Sequence, residues 1–440
     1  MLKPASLINQ DHSILNINRI KMKFTYLALF FLTASLLCLS SCGSNQNKEE
    51  EADKPVDMSS VPAVKYLDPI VIKKGGTYTG NYKSLNPEVP AIWVQTNEPV
   101  TITGCIIVST GDMIKCNGST NLTIRNNSLY GLFPIKNDQW GRALNNFQPQ
   151  SLVFENNTIE HSGGILIDHT DSNPKSIVIR YNIIRNTDKR RANTAAGESR
   201  SGILFNSLSK IEGEISWNQL INIPDSSFVE DNINLFNSGG KSGVPYLVHD
   251  NYIKGAYPYP LNAATYIGSG ITVNGDPGSN TMETMSQFIN AYKNQVISTC
   301  AAAMNLAAGH DIHFYENTMI SCGLYPDGTQ SERFWGGCCI WNASNVPSKF
   351  FINNTIKGNT IGYVRGDKNV PFPGRQDWVV IKESPISVEP GNNTSLPNPI
   401  TLESEKAEWI KWQKKLAANK IVIGNNEGGV ALSKPTVLRH

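Results

Sequence analysis

The sequence predicts an all-β chain wound as a repeat solenoid, closed by a C-terminal segment that contains one helix. Three observations predict it. The stretch Leu122-Thr-Ile-Arg-Asn-Asn-Ser-Leu129 recurs in altered form down the middle of the chain, and Asn127 is answered by Asn157, Asn182, Asn218, Asn251, Asn294, Asn317 and Asn354. Apolar residues bracket every copy. Three positions before each Asn stand Ile124, Phe154, Ile179, Ile215, Val248, Ala291, Phe314 and Phe351; two positions after stand Leu129, Ile159, Ile184, Leu220, Ile253, Val296, Met319 and Ile356. A further short alternating segment follows most copies, as in Gly202-Ile-Leu-Phe205 and Gly270-Ile-Thr-Val273. Units this small bury an apolar face only by stacking on their neighbours, which is the logic of a repeat architecture.

Alternation and frequent β-branched residues, as in Ile177-Val-Ile179, make each unit a pair of short strands. The Asn falls where the alternation breaks. A turn there suits Asn, which tolerates the left-handed conformation, and stacked copies would let each amide donate to the next. This strand–Asn–strand pattern resembles the right-handed, single-stranded parallel β-helix of the pectate-lyase-like superfamily over roughly residues 100–360. The resemblance implies the fold. It leaves the activity open, because lyases, hydrolases, epimerases, adhesins and tailspikes share that scaffold.

The chain begins with a targeting signal. From Met22, the expected initiator, a short basic start leads into the apolar run Phe24–Leu39 and then Leu39-Ser-Ser-Cys42. The last four residues resemble a bacterial lipobox, which implies cleavage before Cys42 and lipidation of that residue, with membrane attachment through more than one acyl chain. Residues 42–62 read as a lipidated Cys and flexible linker. The acidic run Glu49-Glu-Glu51 resembles the surface-export signal of Bacteroidota lipoproteins and implies an outer-membrane protein facing the cell exterior.

The formal net charge of +2 gives no nucleic-acid signature, and Lys189-Arg-Arg191 reads as a solvated loop. Six cysteines follow Cys42: Cys105, Cys116, Cys300, Cys322, Cys338 and Cys339. None has zinc spacing. Cys300 with Cys322, and Cys105 with Cys116, are the pairs that could be bridged, while buried free thiols suit such a core equally well.

Residues 63–365 are expected to form the β-helix. Ile70-Val-Ile72, Ile92-Trp-Val94 and Val100–Val108 enter it. Period two then places Ile165, Ile203, Ile233, Ile271 and Met304 inward. Length varies mainly between the Asn unit and these strands, so the insertions 185–201, 221–231, 254–269 and 320–336 should emerge on one side and build a binding surface. They carry Arg200, Glu198 and Asp225, and the aromatics Tyr257, Tyr259, Tyr266, Tyr325 and Trp335. Rings with acids, bases and amides along a groove suit a sugar chain; packing of the loops on one another accounts for the same rings. Residues 366–440 form a loop-rich cap. Its helix, about 402–418, has acids first and bases last, an expected face of Ala407, Ile410, Lys414 and Ala417 flanked by Trp409 and Leu416, and then a strand at 421–424.

The resemblance implies two chemistries. Uronate lyases on this fold neutralise the substrate carboxylate, often with Ca²⁺ held by Asp, Glu or Asn, and use Arg or Lys as base. Glycosidases on it use carboxylate pairs. The expected catalytic set is Glu230, Asp231, His249 and Arg333. Binding falls to Asn234, Asn274, Tyr257, Tyr259 and Trp335, and a Ca²⁺ site to Glu230, Asp231 and Asp276. Asn232 and Asn234 are expected to point outward beside the two acids; the alternative is that the acids open a strand and stay solvated. Asp168-His-Thr-Asp171 only partly matches an alginate-epimerase motif, His310 and His313 should face opposite ways, and the polygalacturonase motif set is absent, with Gly309-His-Asp311 a fragment of it. The reading is a surface lipoprotein that binds or processes extracellular polysaccharide, as a lyase on uronic-acid glycan or as a non-catalytic capture or adhesion module.

Overall fold

The computed structural model describes residues 61–425 except 135–138, 170–175, 192–198, 265, 267, 277–280, 343–345, 367–368 and 381–390. Cys42, the signal segment, nearly all of the linker, Glu198 and Asp171 lie outside the described residues. Among the described residues no helix is long and apolar enough to cross a membrane.

The strands stack in parallel register to form a β-helix with three faces. One coil shows the pattern: Ile203–Asn206 lies on the first face, Glu212–Ser216 on the second and Gln219–Ile221 on the third. Each pairs with its counterpart one coil on, Ile203 with Ile233, Ile215 with Val248 and Leu220 with Ile253. The first two faces belong to one sheet, because the long strands Ile114–Arg125 and Leu144–Glu155 run through both. The inward row expected from period two is present: Ile165, Ile203, Ile233, Ile271 and Met304 are consecutive partners and fully buried.

The amide column stands at the corner between the second and third faces. Each Asn donates from Nδ2 to Oδ1 of the next, from Asn127 through Asn157, Asn182, Asn218, Asn251, Asn294 and Asn317, at 2.9–3.1 Å. Two features differ from expectation. The next member after Asn317 is Asn359, followed by Asn393, with Asn354 placed earlier in the coil where it accepts from the Ile312 N–H. Ile356 and Ile361, rather than Phe351 and Ile356, therefore occupy the flanking apolar positions. Phe351 mimicked the pattern because it too is buried. The left-handed residue is also not the column Asn but the one before it: Asn126, Asn156, Tyr181, Trp217, Asp250, Lys293 and Glu316 all have φ between 51° and 60°. Even Trp and Tyr accept this strained region, so the turn is imposed by the column and not by local preference.

All six cysteines are buried and free, which decides between the bridged and unbridged readings.

Beyond the last full coil, Gly374–Arg375 and Thr394–Ser395 pair with Thr360–Arg365 and extend the closing end of the third-face sheet. The chain then turns back as helix α1, Leu402–Ala418, capped by a reciprocal Thr401–Ser404 pair. α1 runs along the outside of the third face. Glu405 accepts the Cys322 N–H, Glu408 accepts from Gln295, and Trp412 donates to Gln219, three contacts on successively earlier coils. The buried stripe is Glu405, Glu408, Trp412 and Leu416, whereas Ile410 is exposed. Hydrophobic spacing selected the other side of the helix, because the third face offers unpaired donors as well as Tyr252, Ile221, Ile297 and Ile320 to be covered. Residues 421–424 are not a strand. They lie over the same face, Gly424 donating to Tyr181 O and Ile423 joining the covered apolar cluster.

Candidate functional site

Outward positions on the first face come from the same strands that supply the inward row. Asn234, Thr272 and Asn305 are direct neighbours on adjacent strands, about 4.8 Å apart. One step further along the strands, Phe147, Asp168, Asn206, Phe236 and Asn274 form a second row. Trp341 follows the next strand but one, at 37% exposure, and meets Trp335 edge-to-face at 5.9 Å. Asn206 donates to Asp168 at 2.8 Å.

Asp231 sits at the head of this arrangement. Its Oδ1 accepts the Ser269 N–H and the Thr272 hydroxyl, each at 3.0 Å, and its Oδ2 accepts Asn234 Nδ2 at 2.7 Å. Burial, reinforced by the neighbouring Glu230, pushes its carboxyl up to about 6. The side-chain oxygens of Asn234, Asn274 and Asn305 are buried and accept no hydrogen bond. Being buried, these oxygens are out of reach of solvent.

The expected site is only partly assembled. Asp231, Asn234 and Asn274 share this face, and Trp335 borders it. Glu230 is adjacent, paired with Lys189 at 3.1 Å. Asn232 does not point outward: it is fully buried and donates to Gly255 O. Asp276 lies past the end of the strand whose first residue faces Asp231, about 20 Å along it. Glu230, Asp231 and Asp276 therefore do not converge, and the described residues contain no cluster of three His, Cys, Asp or Glu able to hold a metal. His249 does face outward between Ser216 and Tyr292, but on the second face. There it bridges Asp250 at 2.7 Å and Glu214 at 3.0 Å and stacks on Tyr292. Burial opposes its charge, yet the two carboxylates prevail and raise its pKa. Arg333 spends Nη1 on Ala264 O at 2.7 Å. His310 bonds Asp311 and Met282 O while His313 bonds Thr355, so no metal site joins them.

The insertions do collect on one side, between the third and first faces, but they pack on each other. Tyr257 is buried against Tyr325, Phe228 lies against Tyr259 and Tyr266, and the Arg190 guanidinium covers Tyr259 at 4.2 Å. Tyr257 is thus structural, and Tyr259 is occupied. The residues that sequence reasoning passed over are Thr272, Asn305, Asn206, Phe236 and Trp341. Their signal was the outward half of strands already recognised by their inward half.

The pH dependence of stability follows from these groups. Asp231 and the buried Glu160, which burial pushes up to about 7, are both raised on folding. Such groups contribute fully below their unfolded values near 4 and lose stability as pH rises through the folded values. Asp231→Asn should therefore stabilise the protein at pH 8 relative to wild type, by on the order of 3 kcal/mol at most, and raise its melting temperature accordingly, with the gain disappearing by pH 4. Melting curves across that range decide it; an equal effect at both ends would show that Asp231 does not carry the shift.

One comparison with known families agrees with the fold over part of the chain. A family model described as right-handed β-helix region matches residues 71–244. No curated protein matches. A solved structure of a mannuronic acid specific polysaccharide family 6 lyase from human gut microbiota is similar at 11% identity and a TM-score of 0.38, covering 82% of this chain and 92% of that one. The chain is thus a right-handed parallel β-helix with a C-terminal helix folded back upon it.

Proposed function

We propose that this protein binds extracellular polysaccharide along the first face. The observation that carries the reading is the exposed ring of Trp341, edge-to-face with Trp335, beside the outward row that holds Asp168, Asn206 and Asn274. The exposed ring of Trp341 offers an apolar surface for a pyranose, and the carboxylate and amides of that row suit its hydroxyls. Binding of a retained polysaccharide should fall on the order of tenfold in Trp341→Ala, measured by affinity electrophoresis. Unchanged retention would remove the first face as the groove.

A second reading, processing of the bound chain, is favoured by Asp231 alone. A carboxyl that burial pushes up to about 6, at the head of this face, is suited to proton transfer. The expected set of converging acids with a free base is not what supports it, since Lys189 and Arg333 are engaged elsewhere. Reducing-end and unsaturated-product assays, with and without Ca²⁺ and with Asp231→Asn, separate processing from capture.

In this proposal Cys42 carries the lipid and holds the β-helix on the outer membrane, facing outward, with residues up to about 62 as tether. Cys42→Ala should move the protein from the membrane fraction to the soluble one; retention at the membrane would contradict the anchor.

A further inference from the structure

We infer that the first face carries an acid–base pair, Asp168 and His169, that hydrolyses acyl esters on the bound glycan. This rests on the groove reading above and adds a reaction that leaves the sugar chain intact. It is separate from the role weighed for Asp231, which heads its strand, whereas Asp168 closes the strand Ile165–Asp168.

The fold builds the pair. Asp168 is an outward residue between Phe147 and Asn206 on the neighbouring strands. The corner that follows takes a left-handed residue in coil after coil: Gln148, His169, Ser207 and Asn237, with φ between 44° and 60°. At this one the residue is a histidine, and the turn brings its ring back against the preceding carboxylate, with Nδ1 2.5 Å from Asp168 Oδ1. The His169 N–H donates to Asn206 O at 2.8 Å and ties the corner to the next coil. Asn206 Nδ2 donates to the same oxygen of Asp168, so imidazole and amide stand side by side. Ser207 Oγ donates to Asn206 Oδ1 at 3.3 Å and fixes which end of the amide faces the carboxylate. A carboxylate only accepts, so Nδ1 carries the proton and Nε2 of the neutral ring is left as the base. The His169 side chain is 53% exposed, which opens Nε2 to a bound substrate. A base held by an orienting carboxylate is the arrangement that activates a water or a hydroxyl.

The neighbours select the reaction. Cleavage of a glycosidic bond needs a second carboxyl across that bond, and elimination from a uronate needs positive charge on its carboxylate. The outward residues around the pair, on its own strand and the two beside it, are Phe147, Asn206, Asn145, Leu166 and Leu204. They offer neither a second carboxyl nor a cationic side chain. An ester asks for less: a water made nucleophilic and a proton returned to the leaving oxygen. Phe147, itself exposed, lies 5.7 Å from His169 ring to ring and offers an apolar surface for the methyl of an acetyl group. In the step, His169 Nε2 takes a proton from water as the water oxygen bonds to the acyl carbon. Among the described residues nothing takes the second hydrogen of Asn206 Nδ2, which leaves it for the acyl oxygen as charge develops there. The bond from the acyl carbon to the sugar oxygen then breaks, and the imidazolium returns its proton to that oxygen. The products are a free sugar hydroxyl and the carboxylic acid, which releases its own proton to solvent.

The test measures acetate released by the full chain from acetylated xylan, acetylated glucomannan and acetylated alginate. Reducing ends and unsaturated product are followed alongside, and retardation of the protein is measured in gels of the same polymers. The expected result is acetate from at least one polymer without new chain ends. His169→Ala should lower the rate about a hundredfold, and added imidazole should restore part of it. Asp168→Asn, which removes a positioning residue, should lower kcat on the order of tenfold with KM unchanged. No acetate from polymers that still retard the protein would overturn this inference and leave the groove reading in place. No acetate and no retardation would overturn both. Acetate release that His169→Ala leaves unaltered, or chain ends that disappear in that variant, would also overturn the ester assignment. Melting curves confirm that each variant is folded, and His169→Gln, which keeps a polar side chain at the corner, replaces His169→Ala if the alanine melts early.

Discussion

Asn218→Leu should cost on the order of 4–8 kcal/mol, enough to unfold the central coils. Asn218 Nδ2 donates to Ile179 O and to Asn251 Oδ1, and its Oδ1 accepts both the N–H and the Nδ2 of Asn182. Leucine removes all four bonds: in the preceding coil Ile179 O and both Asn182 donors lose a partner, and in the following one Asn251 Oδ1 keeps only the Asn218 N–H. Each stranded group costs about 1–3 kcal/mol. The loss should be far larger than for Asn354→Leu, whose residue lies outside the column. Equal melting temperatures for the two variants would mean that the column is a by-product of stacking rather than a support for it.

Phe314→Asp should be at least as damaging. Phe314 is fully buried between Ala291 and Ile356 in the coils on either side. A carboxyl there has no donor and no solvent, and escapes only by opening the stack, a penalty of more than about 5 kcal/mol. Ile179→Asp, between Phe154 and Ile215, should behave alike. Because each coil is stabilised by its two neighbours, the damage should spread to adjacent coils and appear as new proteolytic cleavage on both sides of the substitution. A drop of a few degrees with an unchanged digestion pattern would contradict the register.

Both substitutions act on features that were readable in the sequence, and the reason is their repetition. An inward residue such as Ile203 or Ile233 recurs at the same offset because it meets its own equivalent one coil away. The same holds for the amides. Where the repeat loosened, the reading slipped: Asn354 and Phe351 imitate the motif five residues before its true members Asn359 and Ile356. Single-copy features were harder. Nothing periodic marks Glu405 and Glu408 as buried, since their burial depends on the Cys322 N–H and Gln295, far away in sequence.

The candidate site divides along the same line. The outward identity of Asn234 and His249 followed from alternation, but not that one stands on the first face and the other on the second. Asp231 and Asp276 come from consecutive coils but stand at opposite ends of neighbouring strands. The insertions carried the aromatic residues of a groove, and the fold used most of them to pack the insertions together.

By itself, then, the sequence determined the solenoid, its inward rows, its amide column and the side on which insertions gather, because a stacked repeat makes neighbours of equivalent positions. Only the tertiary structure decided which outward residues share a face, which cations are already paired and which acceptors lack a donor. Those properties depend on what each corner and each insertion places opposite a side chain, and the period of a strand holds no record of that.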